Sequence, residues 1–282
     1  MSAPPDAFGR AAREYELGRP GWPEELVDGA ARKLGLGPSS AVLDLAAGTG
    51  KLTRLLVPRF HRVVAVEPDE AMLVVLAEVV PDAEALRGSG DRIPLGEAEV
   101  DCVFVAEAFH WFASPAVVAE IARVLRPGGG LVLLWNVSDL EIEPPWPEEA
   151  DRLIEEAVAR GGEPGGAKVA SGAWREPLAA TFEELRAEHA DWDETVSRDQ
   201  LIARVLSASS IACQSDAARS ELAERLREVM PDLPHRRFVR TNVYWTRLRI
   251  SDRATTPILS AAPVRRTCRR PACSDGGTAS GA

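Results

Sequence analysis

The chain has 282 residues, of which 45% are hydrophobic, and this length suits one large α/β domain with an appendage or two small domains, of which we expect the former. Its formal net charge of −10 disfavours DNA and RNA as partners, because nucleic-acid binding is driven largely by neutralising phosphates. No apolar run is long enough to span a bilayer, and the first residues lack a secretory signal, so we expect a cytoplasmic protein without a membrane partner.

The N-terminal part predicts two helices before any strand. Residues 1–6 are small and proline-rich and are expected to be disordered. Residues 8–17 show helical spacing, the Arg19 to Pro23 stretch breaks that helix, and a second helix is predicted over 24–34. We therefore assign residues 1–38 to an N-terminal helical segment that serves as a lid.

The stretch from Ala41 to Leu52 predicts a strand, a tight turn and the start of a helix. Its apolar residues carry an acid at Asp44, and the turn that follows has almost no side chains. Small residues let a backbone approach a ligand closely. In an open α/β sheet such a turn lies at the carboxyl edge of a strand, where ligands bind.

Strands and helices then alternate up to residue 135. Predicted strands are 63–66, 83–86, 100–106 and 131–135. Asp69 is expected to cap the helix after the second strand, and Ser114 with Pro115 to open the helix after the fourth. Near-continuous apolar strands separated by helices are typical of a parallel sheet that is covered on both faces.

The rhythm changes after Asn136. Residues 139–147 predict a loop and 148–159 a helix, and we expect an insertion at about 139–180 to cover the substrate. The remaining predicted elements are a strand over 182–189, helices over 197–207 and 216–230, and a strand over 239–250. The two late strands would complete the sheet, so 39–250 form the main domain and 251–282 a disordered tail.

The glycine turn does not fit the phosphate-binding motifs. A P-loop is excluded because Leu45 and Leu52 stand where its first glycine and its Ser/Thr are required. A dinucleotide fingerprint fails at Thr53, and Asp44 would lie close to a pyrophosphate. A cofactor with a positive ammonium group and no phosphate suits this turn better, and S-adenosylmethionine fits that description. The four cysteines form no C-x-x-C pair, so we expect no metal.

Four motifs follow one another in the chain: V-L-D-L-A-A-G-T-G-K-L-T at 42–53, V-V-A-V-E-P-D-E-A-M-L at 63–73, A-E-A-F-H-W-F at 106–112 and E-I-A-R-V-L-R-P-G-G-G-L at 120–131. With these motifs the chain resembles the class I S-adenosylmethionine-dependent methyltransferases, in the group that includes ubiquinone/menaquinone biosynthesis and trans-aconitate methyltransferases. The resemblance implies a seven-stranded, mostly parallel Rossmann-like sheet with an antiparallel last pair. It also implies S-adenosyl-L-methionine as cofactor.

The resemblance assigns cofactor roles to individual positions. Asp44 would face the methionine ammonium, and Glu67 would accept hydrogen bonds from both ribose hydroxyls. Backbone at the turn would line the methionine and ribose, Ala106 and Glu107 would border the methionine, and Arg19 either reaches the cofactor carboxylate or caps its helix. The turn positions are Ala46, Gly48 and Gly50. The predicted adenine loop contains Ser89, Gly90 and Asp91, and Ser89 stands where relatives carry an acid.

The reaction implied by this resemblance is in-line methyl transfer to a small-molecule acceptor. His110 is a candidate general base, although a structural or substrate-positioning role is favoured. A carboxylate acceptor would need cations, for which Arg152, Arg175 and Arg240 are candidates, whereas a phenol or quinone would use tryptophans. The alternative is a non-catalytic metabolite- or partner-binding protein on the same fold. We expect a monomer or homodimer.

Overall fold

A computed structural model describes residues 11–161 and 165–250 of the chain. The predicted disordered segments 1–6 and 251–282 lie outside these residues. The strands are β1 (Ala41–Leu45), β2 (Arg62–Glu67), β3 (Glu84–Arg87), β4 (Val100–Ala106), β5 (Leu125–Glu143), β6 (Arg186–Val196) and β7 (His235–Arg247). The helices are α1 (Ala12–Gly18), α2 (Glu24–Lys33), α3 (Thr53–Leu56), α4 (Glu70–Val79), α5 (Phe109–Phe112), α6 (Pro115–Val124), α7 (Glu148–Arg160), α8 (Gly165–Ser171), α9 (Arg198–Leu206), α10 (Ser209–Ala212) and α11 (Asp216–Val229), with a 3₁₀ helix at Ala173–Leu178.

The strands form one seven-stranded sheet in the order β3-β2-β1-β4-β5-β7-β6. Strands β1 to β5 are parallel, and β7 runs antiparallel between β5 and β6. The predicted mostly parallel sheet is therefore confirmed. The strand order reverses direction between β1 and β4, and the crevice outside the carboxyl ends of such strands is where ligands bind in open α/β sheets.

Local sequence explains the central elements. All five residues of β1 are buried, as expected for a strand covered on both faces. Asp69 accepts hydrogen bonds from the backbone N–H groups of Ala71 and Met72 at the start of α4, and Ser114 accepts one from Val117 at the start of α6. Both predicted caps therefore satisfy N–H groups that the helix itself leaves unpaired.

A separate hydrophobic cluster lies among the helices that follow the fifth strand. Buried residues of α7, α9, α10 and α11 pack together there, including Leu153, Leu201, Ile211 and Leu226. The N-terminal helix α1 packs against α9 so closely that a Cβ atom on Gly18 would collide with the backbone at Arg204. The N-terminal segment therefore contacts both this helical cluster and the sheet domain.

The late elements differ from the sequence prediction. Strand β5 continues through Glu143 instead of ending at Trp135, because it pairs with β7 across a register irregularity between Ser138 and Glu141. Strand β6 is Arg186–Val196, not 182–189, and β7 is His235–Arg247, not 239–250. Most β6 residues are at least partly exposed, so the strand lacks the apolar run by which β1 was recognised.

Candidate active site

The turn after β1 adopts the backbone conformation that its small residues allow. The φ angles of Ala46, Gly48 and Gly50 are 59°, 58° and 85°, in the left-handed region. A Cβ atom on Gly50 would lie 2.9 Å from Cγ2 of Val80 in the neighbouring helix region. Glycine is thus needed at position 50 for its backbone angle and for packing space.

Two buried carboxylates flank this turn. Oδ2 of Asp44, a residue 1% exposed, accepts a hydrogen bond from Oγ1 of Thr53 at 2.7 Å. Oε2 of Glu67, which is 7% exposed, accepts one from the Gly48 N–H at 2.9 Å, and Oε1 accepts one from the Asp69 N–H at 3.0 Å. Burial raises the pKa of each carboxyl to about 7.

A cavity opens at the carboxyl ends of β1 and β4. Five predicted cofactor residues line it: Arg19, Asp44, Ala46, Ala106 and Glu107. Glu67 lies beside the cavity through its hydrogen bond to the glycine turn.

Three residues that line the cavity carry further polar side chains, and of these Lys51 and Asn136 lie outside the predicted cofactor set. Lys51 directly follows the glycine turn, Glu107 directly follows β4, and Asn136 directly follows the apolar part of β5. The position of each after a turn or strand end was the available sequence signal. Glu107 has a φ of 59°, and its Oε1 accepts a hydrogen bond from the Asn136 N–H at 2.6 Å.

Asn136 also connects the N-terminal segment to the sheet beside the cavity through hydrogen bonds. Its Nδ2 donates to the Gly21 carbonyl at 2.9 Å, and its Oδ1 accepts from Oγ1 of Thr241 at 2.5 Å. In turn, Nε1 of Trp192 donates to Oγ1 of Thr241 at 2.9 Å. This chain of hydrogen bonds fixes residues 19–22 relative to the ends of the central strands.

Arg19 faces the cavity but is held by other protein groups. Its Nε donates to Oγ of Ser207 at 3.0 Å, and its Nη2 donates to the Ser207 carbonyl at 2.8 Å. Its guanidinium also lies 5.2 Å from the ring centroid of Tyr15, a cavity residue whose pKa burial raises to about 12. Arg19 therefore ties the N-terminal segment to the residue that follows α9.

The predicted adenine loop forms a tight turn at the end of β3. Ser89 and Arg92 form a small bridge, and Oγ of Ser89 donates to Oδ1 of Asp91 at 2.6 Å. A Cβ atom on Gly90 would lie 2.9 Å from Cδ2 of Phe112. The side chains of Ser89 and Asp91 are thus hydrogen-bonded to each other, and the absence of a side chain at Gly90 leaves room for the ring of Phe112.

His110 is held in one tautomer. The indole N–H of Trp135, which can only donate, reaches Nδ1 of His110 at 3.0 Å. The proton of the neutral imidazole therefore resides on Nε2. Burial, with a smaller contribution from the Lys168 charge, lowers the pKa of His110 to about 4. In this arrangement His110 presents an N–H donor, and its lone pair is not available to remove a proton.

The candidate acceptor cations are not brought together. Arg152 pairs with Glu149 and Glu156 on the surface of its own helix. Arg240 pairs with Asp191 at 2.7 Å across two strands.

Arg175 lies over the rings of Trp174 and Tyr244. Trp174 in turn packs against Trp135 in the core, with ring centroids 4.5 Å apart. None of the three arginines lines the cavity.

Two classes of feature are absent from the described part of the chain. No helix in residues 11–161 and 165–250 is long and apolar enough to cross a membrane. Within the same ranges, no three His, Cys, Asp or Glu side chains are grouped in a way that could hold a metal ion.

Comparisons with known proteins agree with this geometry. A family model described as a methyltransferase domain matches residues 43–133. The chain is 37% identical over 232 residues to an uncharacterized methyltransferase of Mycobacterium tuberculosis, which covers 81% of this chain and 87% of that protein. It is 34% identical over 127 residues to a malonyl-[acyl-carrier protein] O-methyltransferase of Serratia marcescens, covering 44% of this chain and 48% of the relative.

A solved structure from Anaeromyxobacter dehalogenans, assigned as a type II methyltransferase, is similar over most of the chain. It has a TM-score of 0.55 and 26% sequence identity, and the match covers 81% of this chain and 97% of that one. The family model runs from within β1 to within β5 and includes the glycine turn and both buried carboxylates.

Proposed function

This chain belongs to the class I S-adenosylmethionine-dependent methyltransferases, and we propose that it methylates a small-molecule acceptor by direct in-line displacement, with S-adenosyl-L-methionine as the methyl donor. The family and fold imply a cofactor of this type. Nothing in the comparisons favours the non-catalytic alternative, whereas the ubiquinone/menaquinone and trans-aconitate subgroup stays a prediction. The observation that carries the cofactor assignment is the pair of buried carboxylates beside the glycine turn.

The buried acids fit the proposed cofactor chemically. Among the described residues, Asp44 and Glu67 receive hydrogen bonds from a hydroxyl and from backbone N–H groups, but no arginine, lysine or histidine forms an ion pair with either. Buried carboxylates are costly unless they are paired. An ammonium group at Asp44 and ribose hydroxyls at Glu67 would supply the missing partners, because both favour the ionised carboxylate.

When bound, the cofactor supplies a methyl group made electrophilic by the adjacent sulfonium. The protein then has to hold donor and acceptor in line, and such positioning alone can contribute about 7–11 kcal/mol in favourable cases. Asp44 and Glu67 fix the cofactor at two points of the sheet edge. His110 does not line the cavity, and in the tautomer with Nε2–H its Nδ1 lone pair is taken by Trp135, so a structural or positioning role fits His110 better than that of a base.

The finer assignments follow from this proposal. We place a lid in residues 1–38 and a second covering insertion at about 139–180, on a main domain of 39–250. The acceptor is a small molecule, the protein acts in the cytoplasm as a monomer or homodimer, and it does not act on nucleic acids or at membranes. The excess of acidic residues, 43 against 33 basic ones, supports the exclusion of nucleic acids.

Calorimetric titration with S-adenosylhomocysteine tests the cofactor assignment. We expect saturable binding to one site, and Asp44→Asn should weaken it about tenfold or more, because a charge-assisted contact to the ammonium is lost. An exposed acid on α11 provides the matched control, since Glu224→Asn should leave the affinity unchanged. Absence of saturable binding up to high micromolar ligand would refute the proposal. Formation of S-adenosylhomocysteine from S-adenosylmethionine in a small-molecule cell extract would then reveal turnover.

A further inference from the structure

The amino-acid end of the proposed cofactor is a zwitterion, so its site needs a cation as well as an acid. Asp44 supplies the acid. Two cationic side chains line the same cavity, Arg19 and Lys51. Which of them receives the carboxylate depends on what else each one contacts, and this argument rests on the function proposed above.

Arg19 is already engaged. Two of its three guanidinium nitrogens donate to Ser207, at 3.0 Å and 2.8 Å, and Ser207 is fully buried. To grip a ligand carboxylate with a bidentate pair, Arg19 would have to give up contacts that tie the N-terminal segment to α9. The Arg19 side chain therefore serves to hold the N-terminal segment against the residue that follows α9.

Lys51 is differently placed. Its side chain is only 16% exposed, and it lines both the cofactor cavity and the adjoining charged cleft. Within residues 11–161 and 165–250, the one carboxylate within 4.0 Å of its Nζ is that of Glu16, and the Nζ–Oε1 distance of 4.0 Å is too long for a hydrogen bond. The charge of Glu194 also acts on Lys51, but its carboxylate pairs with Arg237 at 2.7 Å.

The Glu16 carboxylate is itself occupied by other donors. Its Oε2 accepts from Oγ1 of Thr49 at 2.6 Å, and its Oε1 accepts from Nη2 of Arg54 at 2.6 Å. The Lys51 ammonium is therefore partly desolvated without a carboxylate at hydrogen-bond distance, and desolvation lowers its pKa. A ligand carboxylate in the cavity would supply the hydrogen-bond acceptor that the Lys51 ammonium lacks.

We propose that Lys51, and not Arg19, binds the carboxylate of the cofactor's amino-acid moiety. The ammonium of Lys51 and the carboxylate of Asp44 then form a matched pair of opposite charges across one cavity. Because Lys51 follows Gly50 directly, the turn that approaches the ligand with its backbone also carries the counter-ion.

Paired ligands test this assignment without any methyl acceptor. S-adenosylhomocysteine and its decarboxylated analogue, S-adenosyl-3-thiopropylamine, are titrated calorimetrically into the full chain and its Lys51→Met variant. We expect Lys51→Met to weaken S-adenosylhomocysteine about tenfold and the analogue less than about twofold, since a charge-assisted hydrogen bond is lost only from the former. Lys51→Arg should restore part of the difference.

The control is Lys33→Met, the same substitution at a lysine that pairs with Glu188 and lines neither the cavity nor the adjoining cleft. It should leave the ratio of the two affinities unchanged. Equal weakening of both ligands by Lys51→Met, or unchanged binding of both, would overturn the assignment. If the unmodified chain binds neither ligand, the proposed function fails and this inference fails with it.

Discussion

Replacing Glu67 by glutamine should have two separate effects: it should change how the stability of the protein depends on pH, and it should weaken cofactor binding. Burial raises the pKa of Glu67 from its ordinary value of 4.5 to about 7 in the folded protein. Between these values the folded state holds a proton that the unfolded state has lost. This contribution to the free energy of unfolding is therefore fully present below about pH 4.5 and is lost as the pH rises to about 7.

The size of the effect follows from the same pKa change. A rise from 4.5 to about 7 corresponds to about 3 kcal/mol lost by the wild type across that pH range. Glutamine has no such dependence, but its amide replaces one acceptor oxygen, so either the Gly48 or the Asp69 N–H loses its partner. An unsatisfied buried donor costs about 1–3 kcal/mol at every pH.

Urea denaturation of wild type and Glu67→Gln at pH 5 and pH 8 measures this difference. The variant should be less stable at pH 5 and should approach or exceed the wild type at pH 8. It should also bind S-adenosylhomocysteine more than about tenfold more weakly at pH 8, where the wild-type carboxylate is ionised. A stability difference between the two proteins that does not change with pH would refute the reasoning.

Two further predictions concern the turn and the histidine. Gly50→Ala should destabilise the fold by about 1–3 kcal/mol in thermal denaturation, whereas Gly21→Ala, with no atom near its added Cβ, should cost under about 0.5 kcal/mol; equal losses would contradict the packing argument. In ¹⁵N NMR, His110 should be the neutral Nε2–H tautomer from pH 5 to 8, and Trp135→Phe should give mixed tautomers. Protonation of wild-type His110 near pH 6.5 would show that the indole contact is wrong.

The first half of the fold was predictable because its signals are local. Strand β1 is buried on both faces and therefore apolar throughout, and Asp69 and Ser114 cap helices through their own side chains. Strand β6 has no such pattern. It is held in place by β7, partly through ion pairs such as Arg236 with Asp193 and Arg240 with Asp191, which only the register of the two strands brings together.

The sequence indicates the site residues that lie at strand ends. It does not indicate residues whose role depends on contacts between distant segments of the chain. Asp44 and Glu67 end neighbouring strands, so their positions alone indicated a common edge. The role of Asn136 depends on Gly21, which lies 115 residues earlier in the chain. Likewise, Lys51 has no carboxylate at hydrogen-bond distance because α1 places Glu16 against Thr49 and Arg54.

Backbone strain is concentrated where the strand order reverses. Ala46 and Glu107 each follow the end of a strand, β1 and β4, and both have a φ of 59°. Such conformations cost about 1–3 kcal/mol each for residues other than glycine and persist when surrounding contacts over-determine them. At Glu107 those contacts are the N–H donated to the Leu134 carbonyl at 2.9 Å and the carboxylate bonded to the Asn136 N–H. Both strained residues line the cavity, so the ends of β1 and β4 set the backbone geometry of this part of the crevice.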